Sequence, residues 1–243
     1  MEGGSIAKNL ERVRQRIAEA CLRAGRSPEE VTLVAVSKTR TIEEIAEAYA
    51  CGVRHFGENR VEEAEEKVPL LQERFAQEPI VWHLIGHVQS RKAKRAVAVA
   101  DIIHSVDSLK LARRLDRFAA EAGKRLPVLL ELNVSGEASK YGFPAWEEEL
   151  VQAFLEEAKE LASLEHLEVR GLMTMAPIVE DQEEARPFFQ RLRMIRDLLR
   201  ERLSFSSWDE LSMGMTDDFE VAVEEGATLV RIGRAIFGPR DYH

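Results

Sequence analysis

Lys38 is the residue of this sequence with the best position for nucleophilic chemistry. It lies two residues beyond the apolar run at residues 31–36, in the segment Val36-Ser37-Lys38-Thr39. An amine that is partly withdrawn from water has a lowered pKa, and its neutral form attacks carbonyl carbons to form imines. Lysines are also common on solvated loops, which is the simpler interpretation of Lys38 taken alone. The choice between the two depends on the partners that the fold brings to it.

A second segment, residues 229–238, has the residue types of an anion site. Arg231 falls near the end of an apolar run, and Gly233 follows just after it. A glycine lets backbone N–H groups approach an anion closely, and an arginine is a donor that cannot accept a proton. If its side chain turns inward, Arg231 would keep an aromatic ring nitrogen unprotonated. The alternative is a surface ion pair followed by a plain turn.

Two other apolar runs end in polar residues that could contact a ligand. Ser212 lies in the segment at residues 211–216, and we predict it to be a phosphate donor. Strand-end packing together with helix capping by Thr216 is a compatible interpretation of that segment. Asn59 follows Phe56-Gly57-Glu58 and could hydrogen-bond a ring oxygen of a ligand. It could equally be the N-cap of the following helix.

His83 shares one strand face with Ile85 if the run around it is extended. It would then orient Arg231, contact a ligand ring, or be a satisfied core histidine. No His, Cys, Asp or Glu cluster has metal-ligand spacing, so no metal is expected. The sequence also lacks GxSxG, Walker A and GxGxxG elements.

Strand-like and helix-like segments alternate along the chain. An amphipathic helix is predicted over residues 5–25, with Leu10, Val13 and Ile17 on one face and Gly25 at its end. Short apolar runs rich in β-branched residues then predict eight strands that are buried on both faces. They cover residues 31–36, 53–57, 80–86, 102–106, 128–134, 169–175, 210–215 and 228–232. The predicted helices between them cover residues 41–51, 61–75, 90–99, 109–122, 145–162, 182–203 and 218–225.

This alternation predicts an α/β fold with parallel strands and right-handed crossovers. Eight units within 243 residues favour a single (β/α)8 TIM barrel with an extra N-terminal helix, as one domain over residues 1–243. A doubly wound open sheet is the alternative. Chemistry in such barrels takes place at the carboxyl ends of the strands. We therefore expect Lys38, Asn59, Ser212 and Arg231 together at that end of the barrel, which is called the mouth below.

Composition argues against several other classes of protein. The net charge is −9, whereas duplex-binding domains are usually basic, so nucleic acid is not an expected partner. No apolar run reaches about 18 residues, and the N-terminal segment has no apolar core, so we expect neither a membrane span nor a secretory signal. Cys21 and Cys51 form no CxxC pair, which favours a reducing, cytoplasmic location. One basic cluster is most simply a solvated helix face. It comprises Arg91, Lys92, Lys94 and Arg95.

Six segments together resemble one family, the pyridoxal phosphate homeostasis proteins, which are similar to the N-terminal barrel of bacterial alanine racemase. Each segment is a weak signal alone, but six in order, each at a predicted strand end, are specific and span nearly the whole chain. They are AVSK at residues 35–38, FGEN at 56–59, WHLIGHVQ at 82–89, GLMTM at 171–175, LSMGM at 211–215 and VRIG at 230–233.

The resemblance implies pyridoxal 5'-phosphate as the cofactor, held as a Schiff base on Lys38, with Arg231 opposite the pyridine nitrogen. Ser212 and the backbone around Gly233 and Arg234 would form the phosphate cradle. Two further residues would lie near the cofactor, namely Asn59 and Met213.

The resemblance also places Lys140 on a loop after the fifth strand, where it would serve cofactor exchange. Asparagine is frequent in the family where this chain has Arg91, which leaves the role of the basic cluster open.

The function implied is pyridoxal phosphate homeostasis, in which the protein holds and delivers the cofactor without robust turnover. Racemases carry a second, β-rich domain with a tyrosine base. We expect this chain to lack that domain, and none of Tyr49, Tyr141 and Tyr242 matches the tyrosine. A slow pyridoxal phosphate-dependent amino-acid racemase is the alternative, and a Schiff-base aldolase of sugar phosphates is a third hypothesis. The expected protein is a monomer whose partners are the cofactor and recipient apo-enzymes.

Overall fold

Nine strands are present in the computed structural model, which describes residues 5–239. They are β1 (Thr32–Val36), β2 (His55–Glu58), β3 (Val81–Leu84), β4 (Ile102–Val106), β5 (Leu126–Asn133), β6 (Phe143–Pro144), β7 (Leu167–Met173), β8 (Glu210–Ser212) and β9 (Leu229–Ile232). Parallel neighbours run in the order β4-β3-β2-β1-β9-β8-β7-β5, and β4 also pairs with β5. That last pairing closes an eight-stranded parallel barrel, so the predicted TIM barrel is confirmed and the open sheet is wrong. The short β6 pairs in parallel with the last two residues of β5.

Helices surround the barrel and connect its strands. They are α1 (Ile6–Arg23), α2 (Ile42–Ala50), α3 (Val61–Arg74), α4 (Ala93–Val99), α5 (Leu109–Glu121), α6 (Glu148–Glu160), α7 (Arg186–Arg202), α8 (Phe219–Glu224) and α9 (Arg234–Phe237). A capping box begins α2, since Thr41 and Glu44 cap each other's backbone N–H groups. Within the described residues, no helix is both long and apolar enough to cross a bilayer.

The extra N-terminal helix α1 packs against α8 and α9. Its buried face includes Leu10, Val13 and Ile17, the residues whose spacing predicted it. Asn9 on the same face donates from Nδ2 to the carbonyl of Ile236 in α9 (2.8 Å). Because α9 directly follows the Gly233 turn, α1 braces the segment that borders the barrel mouth.

The inside of the barrel contains a small apolar cluster and a set of buried polar side chains. Val34, Leu129, Met173 and Leu229 form a separate apolar cluster on β1, β5, β7 and β9, while their chain neighbours face the larger core beneath the helices. This is the alternation expected of strands that are covered on both faces. Polar side chains line the remaining interior, and they include His83, His104 and Arg231.

Three predicted strands extended too far at their carboxyl ends. The runs at residues 80–86, 169–175 and 210–215 end as strands at Leu84, Met173 and Ser212. In the last case the chain leaves the sheet because Gly214 has a φ of 92°. Apolar character continues past each end because the loops are themselves packed, so hydrophobicity alone could not mark the boundary.

Candidate functional site

Lys38 lies in a tight loop at the carboxyl end of β1. Ser37 N–H donates to the carbonyl of Gly57 on β2 (3.0 Å), and Thr39 N–H donates to Glu63 Oε1 (2.5 Å). Thr39 is left-handed, with a φ of 64°, a conformation that a β-branched residue adopts only where its surroundings enforce it. The loop therefore holds a half-buried lysine in a defined position.

A buried ion cluster supports this loop from below. Lys67 on α3 donates to Glu58 Oε1 (3.0 Å) and to the carbonyl of Ser37 (2.8 Å). Ser37 Oγ donates to the same Glu58 oxygen (2.7 Å). Burial raises the pKa of Glu58, and the nearby Lys67 opposes that rise. The cluster ties the backbone on the N-terminal side of Lys38 to both β2 and α3.

Lys38 and the glycine turn line one cavity of about 390 Å³. The carboxyl ends of β1 and β9 are neighbours, since Ala35 pairs with Ile232. This brings Lys38 beside Gly233 and Arg234, as the sequence predicted. A Cβ at Gly233 would lie 3.2 Å from the Val36 carbonyl oxygen, so a side chain there would press against β1 and narrow the cavity.

Arg231 projects into the barrel, as the alternation along β9 requires. It is 4% exposed, donates from Nη1 to Ser212 Oγ (2.5 Å) and from Nη2 to the Thr174 carbonyl (2.9 Å). These bonds use two of its five N–H groups. Burial lowers its pKa to about 10, while Asp218 and Glu131 favour the charge. The alternative that Arg231 forms a surface ion pair is therefore wrong. Arg231 is a buried cation, and three of its N–H groups remain for a ligand.

Ser212 is fully buried, and both its recorded partners are side chains of the barrel interior. It accepts from Arg231, and its Oγ lies 2.8 Å from His104 Nδ1. This geometry suits support of Arg231 better than contact with phosphate. The hydroxyl of Thr216 lies closer to the glycine turn, because Thr216 Oγ1 accepts from the backbone N–H of Ala235 (3.4 Å).

Asn59 occupies on β2 the position that Lys38 has on β1. Val36 pairs with Gly57, and each of the two residues lies two positions beyond its strand partner. Asn59 is not the N-cap of α3, because that helix begins after Arg60. Its buried Oδ1 has no hydrogen-bond partner within residues 5–239. The amide is therefore available to a ligand, through its oxygen or, if turned over, its nitrogen.

Met213 and Arg234 enter the site differently from the other candidates. The Met213 side chain is fully buried in the larger core beneath the helices, so any contact with a cofactor would come from its backbone. The Arg234 guanidinium is bound to both oxygens of Asp217 and is mostly exposed. Its backbone, next to Gly233, is the part that borders the cavity's glycine turn.

The remaining candidates are held by other parts of the protein. Lys140 Nζ donates to the Met175 carbonyl (2.9 Å) and pairs with Glu137, so it is anchored beyond β7. His83 is buried between two other histidines, His55 and His104. Tyr242 lies outside the described residues.

Members of the basic cluster pair with acidic side chains on neighbouring helices, as expected for a solvated helix face. Lys92 and Arg95 both pair with Glu62 on α3, and Lys94 pairs with Glu121 (3.8 Å). Arg91 donates to Gln89 Oε1 (2.9 Å). The cluster is therefore occupied by local ion pairs.

Two residues of the mouth were missed from the sequence. Arg40 lines the cavity with Lys38 and donates from Nη2 to the Gly238 carbonyl (2.6 Å). Glu131 is 3% exposed on β5, and burial raises its pKa to about 7, with Asp107 adding to the rise. Glu131 carried a visible signal, since it is the one charged residue of a largely apolar strand (Leu126–Asn133). Arg40 carried no such signal, because its hydrogen bond to Gly238 is a tertiary contact between distant parts of the chain.

Comparison with known proteins gives the class first. Residues 4–241 match the family model of the alanine racemase N-terminal domain. An alanine racemase of Clostridium difficile has the same fold at a TM-score of 0.71 and 16% identity, over 98% of this chain and 57% of that one. The chain is thus a racemase-type barrel.

Closer relatives identify the family within that class. A pyridoxal phosphate homeostasis protein of Vibrio alginolyticus is 41% identical over 239 residues, which is 98% of this chain and 99% of the relative. The structure of PipY from Synechococcus elongatus with PLP bound superposes at a TM-score of 0.79, with 38% identity over 96% of this chain and all of that one. The chain belongs to the pyridoxal phosphate homeostasis protein family, as its six segments indicated.

Proposed function

We propose that this protein binds pyridoxal 5'-phosphate covalently through Lys38 and serves its homeostasis. The observation that carries the proposal is the shared cavity of Lys38, Gly233 and Arg234, which sets an amine beside a turn suited to an anion. The PLP-bound PipY structure, from the same family, supports the choice of cofactor.

The residues of the mouth fit this cofactor group by group. The backbone at Gly233 and Arg234 would hold the phosphate, with the Thr216 hydroxyl as the nearest side-chain donor in place of Ser212. The unpartnered amide of Asn59 would bind a ring oxygen. Arg231 would face the pyridine nitrogen with the N–H groups that Ser212 and Thr174 leave over.

The charge of Arg231 favours storage of the cofactor over catalysis with it. When bound, the cofactor supplies an aldehyde that an amine can attack and a pyridine ring that withdraws electrons. With a pKa of about 10, Arg231 is cationic at neutral pH, so it disfavours a proton on the ring nitrogen facing it. An unprotonated ring withdraws electrons weakly, which disfavours carbanion chemistry. We therefore propose a carrier that delivers the cofactor to apo-enzymes, acting as a cytoplasmic monomer.

Borohydride reduction tests the site. The protein loaded with the cofactor is reduced, digested and mapped by mass spectrometry, and the reduced adduct is expected on Lys38. The variant Lys38→Ala should lose the adduct, whereas Lys140→Ala, a control lysine anchored beyond β7, should keep it. An adduct on another lysine in the wild type would contradict the assignment.

Racemase activity is the second candidate, and Glu131 is the observation that favours it. A buried carboxyl with a pKa near 7 can give or take a proton at neutral pH. Incubation with L-alanine in deuterated water discriminates between the two. Exchange of the α-proton faster than with free cofactor, abolished in both Lys38→Ala and Glu131→Gln, would establish catalysis and overturn the pure carrier.

A further inference from the structure

Three histidines form a continuous hydrogen-bonded line across the inside of the barrel. His55 Nδ1 lies 2.9 Å from His83 Nε2, and His83 Nδ1 lies 2.8 Å from His104 Nε2. His104 Nδ1 lies 2.8 Å from Ser212 Oγ, which in turn accepts from Arg231 (2.5 Å). The side chains come from β2, β3, β4, β8 and β9, so the line exists only in the closed barrel.

Arg231 determines the direction of every hydrogen bond in this line. A guanidinium only donates, so Ser212 Oγ must accept from it and direct its own hydrogen elsewhere. The remaining partner recorded for that hydroxyl within residues 5–239 is His104 Nδ1, which therefore accepts. A neutral imidazole has one N–H, so His104 donates from Nε2 to His83 Nδ1. By the same rule His83 donates from Nε2 to His55 Nδ1, and the hydrogen of His55 is on Nε2.

Burial supports neutral rings throughout the line. His83 is 3% exposed and His104 is fully buried. Burial holds the pKa of both imidazoles well below the ordinary value, and the neighbouring histidines lower it further. Burial also lowers the pKa of His55. No group of metal-binding side chains is present among the described residues, so a metal site does not explain the three rings.

The line opens to water at the end of the barrel opposite the mouth. His55 and His83 line a cavity of about 350 Å³ there, together with the first residues of several strands. Since His55 Nδ1 faces His83, its Nε2 is on the outer side of the ring. The line thus runs from solvent at the amino-terminal face to the buried guanidinium.

We infer that His104, His83 and His55 are positioning residues for Arg231, acting as neutral, Nε2-protonated imidazoles that keep the Ser212 hydroxyl an acceptor for the guanidinium. The three rings draw the hydroxyl hydrogen away from Arg231, so its Nη1 stays bonded to Ser212. Its remaining N–H groups then stay directed to the mouth. The link to a ring nitrogen rests on the proposed function, whereas the tautomers do not.

Nitrogen NMR tests the tautomers in protein free of cofactor. In a sample with ¹⁵N-labelled histidine, long-range correlations between ring nitrogens and carbon-bound protons identify which nitrogen carries hydrogen. All three rings are expected as the Nε2-H form at neutral pH. The Nδ1-H form at His104 or His83, or a charged imidazolium at either, would overturn the inference whatever the fate of the cofactor.

Two substitutions at one position test the effect on Arg231. His104→Asn keeps an acceptor oxygen near the place of Nδ1, whereas His104→Leu leaves the Ser212 hydroxyl without one. We expect His104→Leu to weaken cofactor affinity about tenfold, as for loss of a buried hydrogen-bond partner, and His104→Asn to restore most of it. In the loaded protein, a ¹⁵N label in the pyridine ring should shift in His104→Leu and return toward the wild-type position in His104→Asn.

The positioning role would be contradicted if wild type, His104→Leu and His104→Asn had the same cofactor affinity and the same ¹⁵N shift of the pyridine nitrogen. Borohydride could label a lysine other than Lys38 while the three tautomers are as stated. In that case the proposed function is wrong, but the inferred hydrogen-bond directions through the three histidines remain correct. The two failures are therefore distinguishable.

Discussion

Glu131 and Arg231 both lie on the inner wall of the barrel, and each favours the charged form of the other. This attraction is weaker than the cost of burial, which raises the pKa of Glu131 and lowers that of Arg231. At the residue scale, therefore, desolvation is the main cause of the pKa shifts of these two side chains. Removing a single polar atom there should have measurable effects, because buried charges are costly when left unpaired.

Glu131→Gln should change how stability depends on pH. The pKa of Glu131 is raised from 4.5 to about 7, so between these values the folded state binds the proton more tightly than the unfolded state. Its contribution is fully present below pH 4.5 and is lost as the pH rises through 7. The glutamine variant should gain up to roughly 3 kcal/mol relative to wild type between pH 4.5 and 8. Urea unfolding at several pH values measures this, and parallel curves would contradict it.

Lys67→Met should destabilise the fold because it leaves the buried carboxylate of Glu58 without its cation. Glu58 is 1% exposed, and breaking such a pair costs about 3 kcal/mol or more. Lys92→Met, which breaks the exposed pair with Glu62, is the matched control and should cost less than about 1 kcal/mol. Denaturant unfolding compares the two, and similar losses would show that the cluster beneath Lys38 is unimportant.

At the scale of elements, the connection between β8 and α8 sets the position of the mouth. Gly214 turns the chain with a φ of 92°, and its carbonyl accepts from the backbone N–H of Arg231 (3.0 Å). A Cβ there would lie 2.6 Å from the Cβ of Ala222 and 2.9 Å from the Cα of Phe219. The turn therefore packs directly against α8 and has no room for a side chain.

Gly214→Ala should consequently be far more harmful than the same change in an open turn. Gly123, with a φ of 65° and no atom within 4 Å of its would-be Cβ, provides the comparison. Both substitutions incur the left-handed penalty of about 1–2 kcal/mol, but only Gly214→Ala adds overpacking of about 1–3 kcal/mol. Thermal unfolding of the two variants separates these terms. Equal losses would mean that α8 moves aside freely.

At the scale of the whole molecule, the mouth is built from loops that follow β1, β2, β8 and β9, which are adjacent in the barrel. A ligand that contacts all four loops binds only the folded barrel. Its binding energy therefore adds to the free energy of unfolding. This links occupancy of the site to the stability of the entire chain.

Removal of the cofactor should accordingly lower the melting temperature. At a free concentration 100 times the dissociation constant, the stabilisation is about 2.7 kcal/mol. Calorimetry on loaded and stripped protein measures the difference, and Lys38→Ala should show a smaller one. Identical melting temperatures for the two forms of the wild type would contradict specific binding at the mouth.

Local pattern was enough to determine the elements and most of the mouth. Continuous apolar runs predict strands buried on both faces, and eight of them separated by helices favour a barrel over a doubly wound open sheet. The ends of those runs place Lys38, Asn59 and Arg231 at the same end of the barrel, because parallel strands present their carboxyl ends at one face.

Only the tertiary structure decided which polar groups pair. The partners of Ser212 come from two other strands of the barrel. His104 is 108 positions away in sequence, and Arg231 is 19 positions away. The burial of Arg231 and the elevated pKa of Glu131 likewise depend on closure, since the interior is withdrawn from water only once β4 pairs with β5. Sequence patterns indicate which face of a strand a residue occupies. Hydrogen bonds and desolvation depend instead on the distances between side chains from different strands, which only the folded barrel defines.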